Sequence, residues 1–189
     1  MVDWLAERML IEAAHALAQD HLVTATDGNL SMRSREAYLI TPSGYEKRAL
    51  EVKDLSHLTS DGKLVEGPAP SSEWAFHLAI YAKRPEINAV CHAHPDMATA
   101  LASQDLAERP RLLFDAERRF PRIAYIPRLA PGSAELAAAV GRAASECDAI
   151  LLADHGAITW GESPQVAVQQ MAALERWART ICILENRCM

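Results

Sequence analysis

The chain has 189 residues, 50% hydrophobic and 23% charged, a composition suited to one compact domain over residues 1–189. Its formal net charge of -6 argues against nucleic acid or an anionic membrane surface as the main partner. No apolar run approaches the roughly 20 residues that cross a bilayer, and the N-terminus lacks the basic start of a secretion signal. Four cysteines, at 91, 147, 182 and 188, form no Cys-x-x-Cys pair, which suits free thiols in a reducing cytoplasm.

In chain order, Leu5, Met9, Leu10, Ala13 and Leu17 recur at three- and four-residue spacing and predict an amphipathic helix from 4 to about 20, capped by Asp3. Residues 29–41 read as a hairpin turning around Ser34–Glu36, followed by a Pro42-Ser43-Gly44 loop. A second hairpin is expected over 58–65, because Asp61-Gly62 favours a tight turn. A helix is predicted from near Ser71 to just before Pro85. An apolar strand then runs from Ile87 to Ala93, closed by His94-Pro95. Residues 103–122 are charged, with arginines at 109, 111, 118 and 119, and read as an irregular or partly helical excursion. A strand at 123–127, a helix from Ser133 to about Ser145 and a strand at 149–153 follow. A return strand then runs through Trp160, and Ser163-Pro164 opens a helix to about Asn186. Hairpins mixed with helices predict a largely antiparallel or mixed sheet with helices packed against it.

Strand alternation places residues two apart on one face. His92 and His94 therefore project together while Ala93 points into the packed layer. His155 ends the other strongly apolar strand, and Gly156 after it is expected to let the backbone turn sharply and swing the imidazole across. Three imidazoles with an open fourth position are the pattern of a catalytic zinc site, one ion per chain. Mn²⁺, Co²⁺, Fe²⁺ and Ni²⁺ are also compatible with such ligands. A structural zinc site would be closed and rich in cysteine, which these four cysteines do not supply. His15, His21, His57 and His77 read as ordinary surface or hydrogen-bonded core histidines. Glu73, expected in the first turn of its helix, suits either dipole stabilisation or acid/base chemistry. Gly28-Asn29, Ser43-Gly44 and Ser71-Ser72 are short polar segments able to aim backbone N–H groups at an anion.

These pieces occur in the order Gly28-Asn29-Leu30-Ser31, Thr41-Pro42-Ser43-Gly44, Ser71-Ser72-Glu73, His92-Ala93-His94-Pro95, Pro131-Gly132-Ser133, Asp154-His155-Gly156. Together they resemble the class II aldolase/adducin family, in particular its fuculose-phosphate aldolase branch. The resemblance implies an α/β fold, a three-layer α/β/α arrangement with a central mostly antiparallel sheet, and a homotetramer with active sites at subunit interfaces. It implies zinc on His92, His94 and His155, and Glu73 as the acid/base residue. It also implies a phosphate site from Gly28, Asn29, Ser43, Gly44, Ser71 and Ser72. The implied activity is a metal-dependent aldolase acting on a small ketose or deoxyketose phosphate through an enediolate held on the metal. A decarboxylase, dehydratase or epimerase of a sugar acid or sugar phosphate shares that chemistry. Glu73 disfavours the epimerase, whose pattern resembles Ser-Ser-Asp here. A non-catalytic adducin-like binding module has no physical use for the histidines together with Glu73. The aldolase pattern also carries tyrosines near residue 113 and in a C-terminal tail. Here Leu113 and Phe114 occupy the first place and no tyrosine follows Tyr125, so the group that protonates the departing alkoxide is unassigned; Asp115, Glu117 and Arg118 are the nearby candidates.

Overall fold

The computed structural model describes residues 3–35, 37–102 and 114–184. The first helix, α1 (Trp4–Gln19), begins where Asp3 Oδ1 accepts from Ala6 N, and turns Leu10, Ala14 and Leu17 onto the sheet. Strands β1 (Asn29–Ser34) and β2 (Ala37–Ile40) form the first hairpin. Strands β3 (Ser56–Thr59) and β4 (Leu64–Glu66) form the second, with Gly62 at φ +85° in its turn. Two short 3₁₀ turns, Lys47–Ala49 and Val52–Asp54, fill the stretch between the hairpins.

Next come α2 (Trp74–Lys83), β5 (Ala89–Ala93), α3 (Asp96–Ala102) and α4 (Phe114–Arg119). The chain continues with β6 (Ile123–Ile126), α5 (Ala134–Ala144), β7 (Ala149–Leu152), β8 (Gly156–Gly161) and α6 (Pro164–Leu184). Ser133 Oγ accepts from Leu136 N and Ser163 Oγ from Val166 N, so both serines cap the helices they open. Helix α3 has no counterpart among the expected elements. Its seven residues are too few to show a period, and its first amides are held from outside, Met97 N and Ala98 N both donating to the Glu175 carboxylate. Of the charged excursion, 103–113 lies outside the described residues, while Arg118 and Arg119 are exposed on α4.

The described strands form one sheet in the order β4-β3-β2-β1-β5-β8-β7-β6, antiparallel throughout except for the parallel pair β6 and β7. Helices α1, α3 and α6 cover one face, burying Leu10, Leu17, Leu101, Met171 and Leu174 against Leu30, Cys91, Ala93 and Leu151. Helices α2 and α5 cover the other, burying Phe76, Ile80 and Val140 against Val90, Ile150 and Ile158. The result is the expected α/β/α three-layer arrangement. Alternation along β5 is strict: Ala89, Cys91 and Ala93 face the first layer, while Val90 and His92 face the second. No described helix is long and apolar enough to cross a membrane.

Candidate metal centre and anion cleft

The side-chain nitrogens of His92, His94 and His155 converge, with one ligand atom from each within 4.8 Å of the others. Strand pairing accomplishes this. β8 lies beside β5 with Ala93 opposite Ala157, so the turn that ends in His155 sits next to the end of β5. His92 Nδ1 is 2.9 Å from the Ala157 carbonyl, which takes its N–H and turns Nε2 toward the cluster. His94 Nε2 stands 3.0 Å from that Nε2.

Gly156 serves the cluster differently from the expected sharp turn. The left-handed residue is Asp154, at φ 55°, whereas a Cβ on Gly156 would drive into the Ala93 carbonyl and lie 2.7 Å from His94 Cδ2. The glycine is needed for clearance because a paired strand backbone and an imidazole close over it. Gly156→Ala is expected to cost about 1–3 kcal/mol of stability through overpacking and to weaken cation binding by roughly 10–100-fold through the displaced His94. Thermal melts and cation titration check this; unchanged affinity would refute the clearance role.

Glu73 closes the group. Its Oε2 lies 3.1 Å from His92 Nε2 and accepts from Asn29 Nδ2 at 3.0 Å, and its Oε1 lies 3.3 Å from His155 Nε2. Glu73 is the N-cap of α2 rather than a residue of its first turn, and its side chain makes no cap bond. The helix starts later than expected because Pro70 bridges to Pro42 and Ser71 N donates to the Thr41 carbonyl, keeping Ser71 extended. Glu73 is thus free to point into the site.

Burial pushes the Glu73 carboxyl up, but charge and hydrogen bonding from His92, charge from His155 and the Asn29 hydrogen bond outweigh it and hold it at about 2. Burial pushes His94 down to about 4, helped by the neighbouring imidazoles, and lowers His155 for the same reasons. At neutral pH these two rings carry bare nitrogen lone pairs beside an ionised carboxylate. Glu73 Oε1 is buried with no hydrogen-bond partner. A buried anion with an unsatisfied oxygen, ringed by nitrogen donors, fits a divalent cation.

Gly28, Asn29, Ser43, Gly44, Ser71 and Ser72 line one cleft of about 290 Å³ together with Glu73, His94 and His155. Six positions spread over 45 residues of chain thus share a wall with His94 and His155. Their donors differ from a simple row of amides. Ser43 N is taken by the Ala69 carbonyl and Ser71 N by Thr41, while Ser71 Oγ accepts from Glu73 N. The Asn29 side chain is buried between Glu73 and His77. Gly44, at φ +78° with open space where a Cβ would be, exposes its backbone to the cleft. Gly28, at φ +66°, is held close to Val23 and the His92 carbonyl, where a side chain would collide.

Sequence reasoning passed over Asp27, which lines the cleft 3.6 Å from His94 Nδ1; Pro131, from the Pro131-Gly132-Ser133 piece, lines it too. An aspartate one residue before a glycine turn carries no local signal of its own. Among the remaining histidines, His15 Nε2 meets the Leu50 carbonyl, and His57 lies 3.4 Å from Glu7. His77 is fully buried between Asn29 and Ser31, and burial pushes it down to about 3, against 6.5 in an unfolded chain. Below pH 6.5 the unfolded chain therefore binds a proton that the folded chain refuses. Stability should fall by about 1.4 kcal/mol per pH unit from this group as pH drops from 6.5 toward 3. Urea midpoints at pH 7 and pH 5 should show wild type losing about 2 kcal/mol more than His77→Gln; equal losses would contradict this.

Three comparisons with known proteins bear on this site. A sequence profile described as "Class II Aldolase and Adducin N-terminal domain" matches residues 8–182. An L-fuculose phosphate aldolase from Haemophilus influenzae is 34% identical over 174 residues, covering 89% of this chain and 79% of its own. A 3-oxo-tetronate 4-phosphate decarboxylase from Escherichia coli O6:H1 is 33% identical over 179 residues, covering 92% and 84% respectively. The crystal structure of YgbL from Klebsiella pneumoniae, described as an aldolase/epimerase/decarboxylase candidate, superposes with a TM-score of 0.91 at 30% identity. That match covers 99% of this chain and 93% of the other.

Proposed function

The chain belongs to the class II aldolase and adducin N-terminal domain family, and on that premise we propose that it is a divalent-metal lyase acting on a small phosphorylated sugar. The reading is carried by one juxtaposition: two imidazoles of the three-histidine cluster, His94 and His155, and the Glu73 carboxylate share a cleft with two glycine turns and a serine pair. The first activity is cleavage or formation of the carbon–carbon bond of a ketose or deoxyketose phosphate. The cation is zinc, with Mn²⁺, Co²⁺, Fe²⁺ or Ni²⁺ as substitutes.

In this reading His92, His94 and His155 hold the cation, which supplies Lewis acidity at the substrate carbonyl. Gly28, Asn29, Ser43, Gly44, Ser71 and Ser72 form the phosphate wall, with the Gly44 backbone and the serine hydroxyls as its donors. Anchoring the dianion there lets remote binding energy orient the reacting carbons against Glu73. Glu73 takes the proton from carbon in the synthetic direction and returns it in cleavage. The Asn29 N–H keeps one Glu73 oxygen fixed, so the other oxygen does the moving of the proton.

A second reading, decarboxylation of a phosphorylated oxo acid, has its own support. Among the described residues no tyrosine lines the cleft: Tyr81 is in the core with Tyr38 stacked on it, and Tyr45 and Tyr125 are exposed. Losing carbon dioxide requires no acid for a departing alkoxide, whereas aldol chemistry does. If aldol chemistry operates, the missing acid is best supplied by a neighbouring subunit, and we propose a homotetramer with the cleft at its subunit boundaries. We also place the protein, as one domain, in the cytoplasm, in keeping with cysteines that form no Cys-x-x-Cys pair.

The test is metal analysis of purified protein followed by two assays. Dihydroxyacetone phosphate with a panel of aldehydes reports aldol synthesis, and phosphorylated 3-oxo acids report carbon dioxide release. About one divalent ion per chain and turnover in either assay are expected. A metal-free chain with full activity would end the proposal.

A further inference from the structure

Behind Glu73 a file of buried polar side chains runs through the layer between β1 and α2. It uses one face of each element: Glu73, His77 and Tyr81 are four residues apart on α2, and Asn29 and Ser31 two apart on β1. The links are Glu73 Oε2 to Asn29 Nδ2 at 3.0 Å, Asn29 Oδ1 to His77 Nε2, His77 Nδ1 to Ser31 Oγ at 2.7 Å, and Ser31 Oγ to Tyr81 Oη at 2.8 Å. All four residues behind Glu73 are at most 4% exposed, so water does not compete for these bonds.

The direction of every bond follows from the first. Glu73 is an anion and can only accept, so Asn29 must offer it the N–H₂ group, because the amide oxygen would repel it. Asn29 Oδ1 then needs a donor, and that is Nε2–H of His77. His77 is neutral, so its Nδ1 is bare and accepts the Ser31 hydroxyl proton. Ser31 has spent its only proton, so Tyr81 donates to Ser31 Oγ. Arg33 braces the end, its guanidinium bonded to the Tyr81 carbonyl at 2.7 Å and lying 4.7 Å over the Tyr81 ring.

We propose that His77 is a positioning residue: locked as the neutral Nε2–H tautomer between Asn29 and Ser31, it donates to Asn29 Oδ1 and keeps the Asn29 N–H₂ group turned to Glu73. This rests on the acid/base reading of Glu73. A flipped Asn29 would set oxygen against carboxylate oxygen and displace the base from the reacting carbon. Nothing in the file transfers a proton to substrate; its work is orientation.

Two measurements test it. Imidazole ¹⁵N spectra of histidine-labelled protein, with the His77 signal assigned by its loss in His77→Gln, should show a protonated Nε2 and a bare Nδ1, unchanged between pH 5 and pH 8. An Nδ1–H tautomer, or a titration in that window, overturns the proposal. His77→Leu should lower kcat about 10²-fold with KM little changed and cation content intact, since misplacing a base by about 1 Å costs that much. His77→Gln, which keeps an N–H at its tip, should restore kcat to within about fivefold of wild type. Wild-type kcat in the leucine variant, or no rescue by glutamine in a folded chain, overturns it. Should His77→Leu fail to fold, Ser31→Ala replaces it: freeing Nδ1 should bring an Nδ1–H signal into the ¹⁵N spectrum, and an unchanged spectrum overturns the lock. Failure of the Glu73 reading is separable, because Glu73→Gln would then be active while the His77 tautomer stayed as described.

Discussion

Glu73→Gln should lower kcat by about 10²–10⁴-fold, the range a positioned acid/base group supplies, while the purified chain keeps about one cation. The substitution is isosteric. The new side chain can still turn its amide oxygen to Asn29 Nδ2, 3.0 Å from the carboxylate in the wild type, so the local packing of α2 survives. What disappears is an ionised oxygen beside His155, buried without a hydrogen-bond partner, and with it the only carboxylate among the described residues lying within 3.5 Å of both His92 and His155. Because binding of substrate phosphate involves other residues, KM should move much less than kcat. Steady-state kinetics with parallel metal analysis decide the matter. Full activity in the glutamine variant would remove Glu73 from the chemistry. Loss of activity accompanied by loss of the cation would instead make it a ligand.

His155→Ala should empty the centre and lower kcat/KM by about 10³-fold or more. Lewis-acid stabilisation is worth several kcal/mol and each 1.4 kcal/mol is tenfold. His155 is the best of the three for this test. His92 is fully buried, bonded to the Ala157 carbonyl and packed edge-on to Phe76, so its truncation would leave a core cavity. The His155 side chain is 12% exposed and follows a turn, so its removal should leave the melting temperature of the metal-free chain nearly unchanged. Cation content falling well below one per chain with a normal circular dichroism spectrum is the expected pair of results. A fully loaded and active His155→Ala chain would refute the three-histidine centre.

Much of this arrangement is written locally in the chain. Alternation in Ala-Val-Cys-His-Ala already puts His92 on the face opposite Cys91 and Ala93, and the structure keeps that division. Asp3, Ser133 and Ser163 announce their helices because a short side-chain oxygen caps amides only two or three residues on. Asp61-Gly62 marks its hairpin, since glycine tolerates the left-handed backbone found there. The order of the motifs was enough to suggest the family. It was equally enough to put Leu113 and Phe114 where the resemblance expects a tyrosine.

Other features exist only in three dimensions. That β1 lies beside β5, with Asn29 opposite His92, is decided by which strands can bury both faces between two helical layers. The same holds for β8 on the other side of β5 and for the parallel pair of β6 and β7. Glycine at 156 looked like a turn residue and proved to be clearance for a neighbour 63 residues away in sequence at position 93. Glu73 looked like a first-turn residue and became an N-cap because a bridge to Pro42 held the preceding residues extended. His77 looked ordinary because its meaning depends on Asn29 and Ser31, 48 and 46 positions away. Periodicity and capping act within a few residues and can be read along the chain. Strand neighbours, clearances and buried hydrogen-bond direction are set by the simultaneous packing of distant segments, which no local pattern encodes.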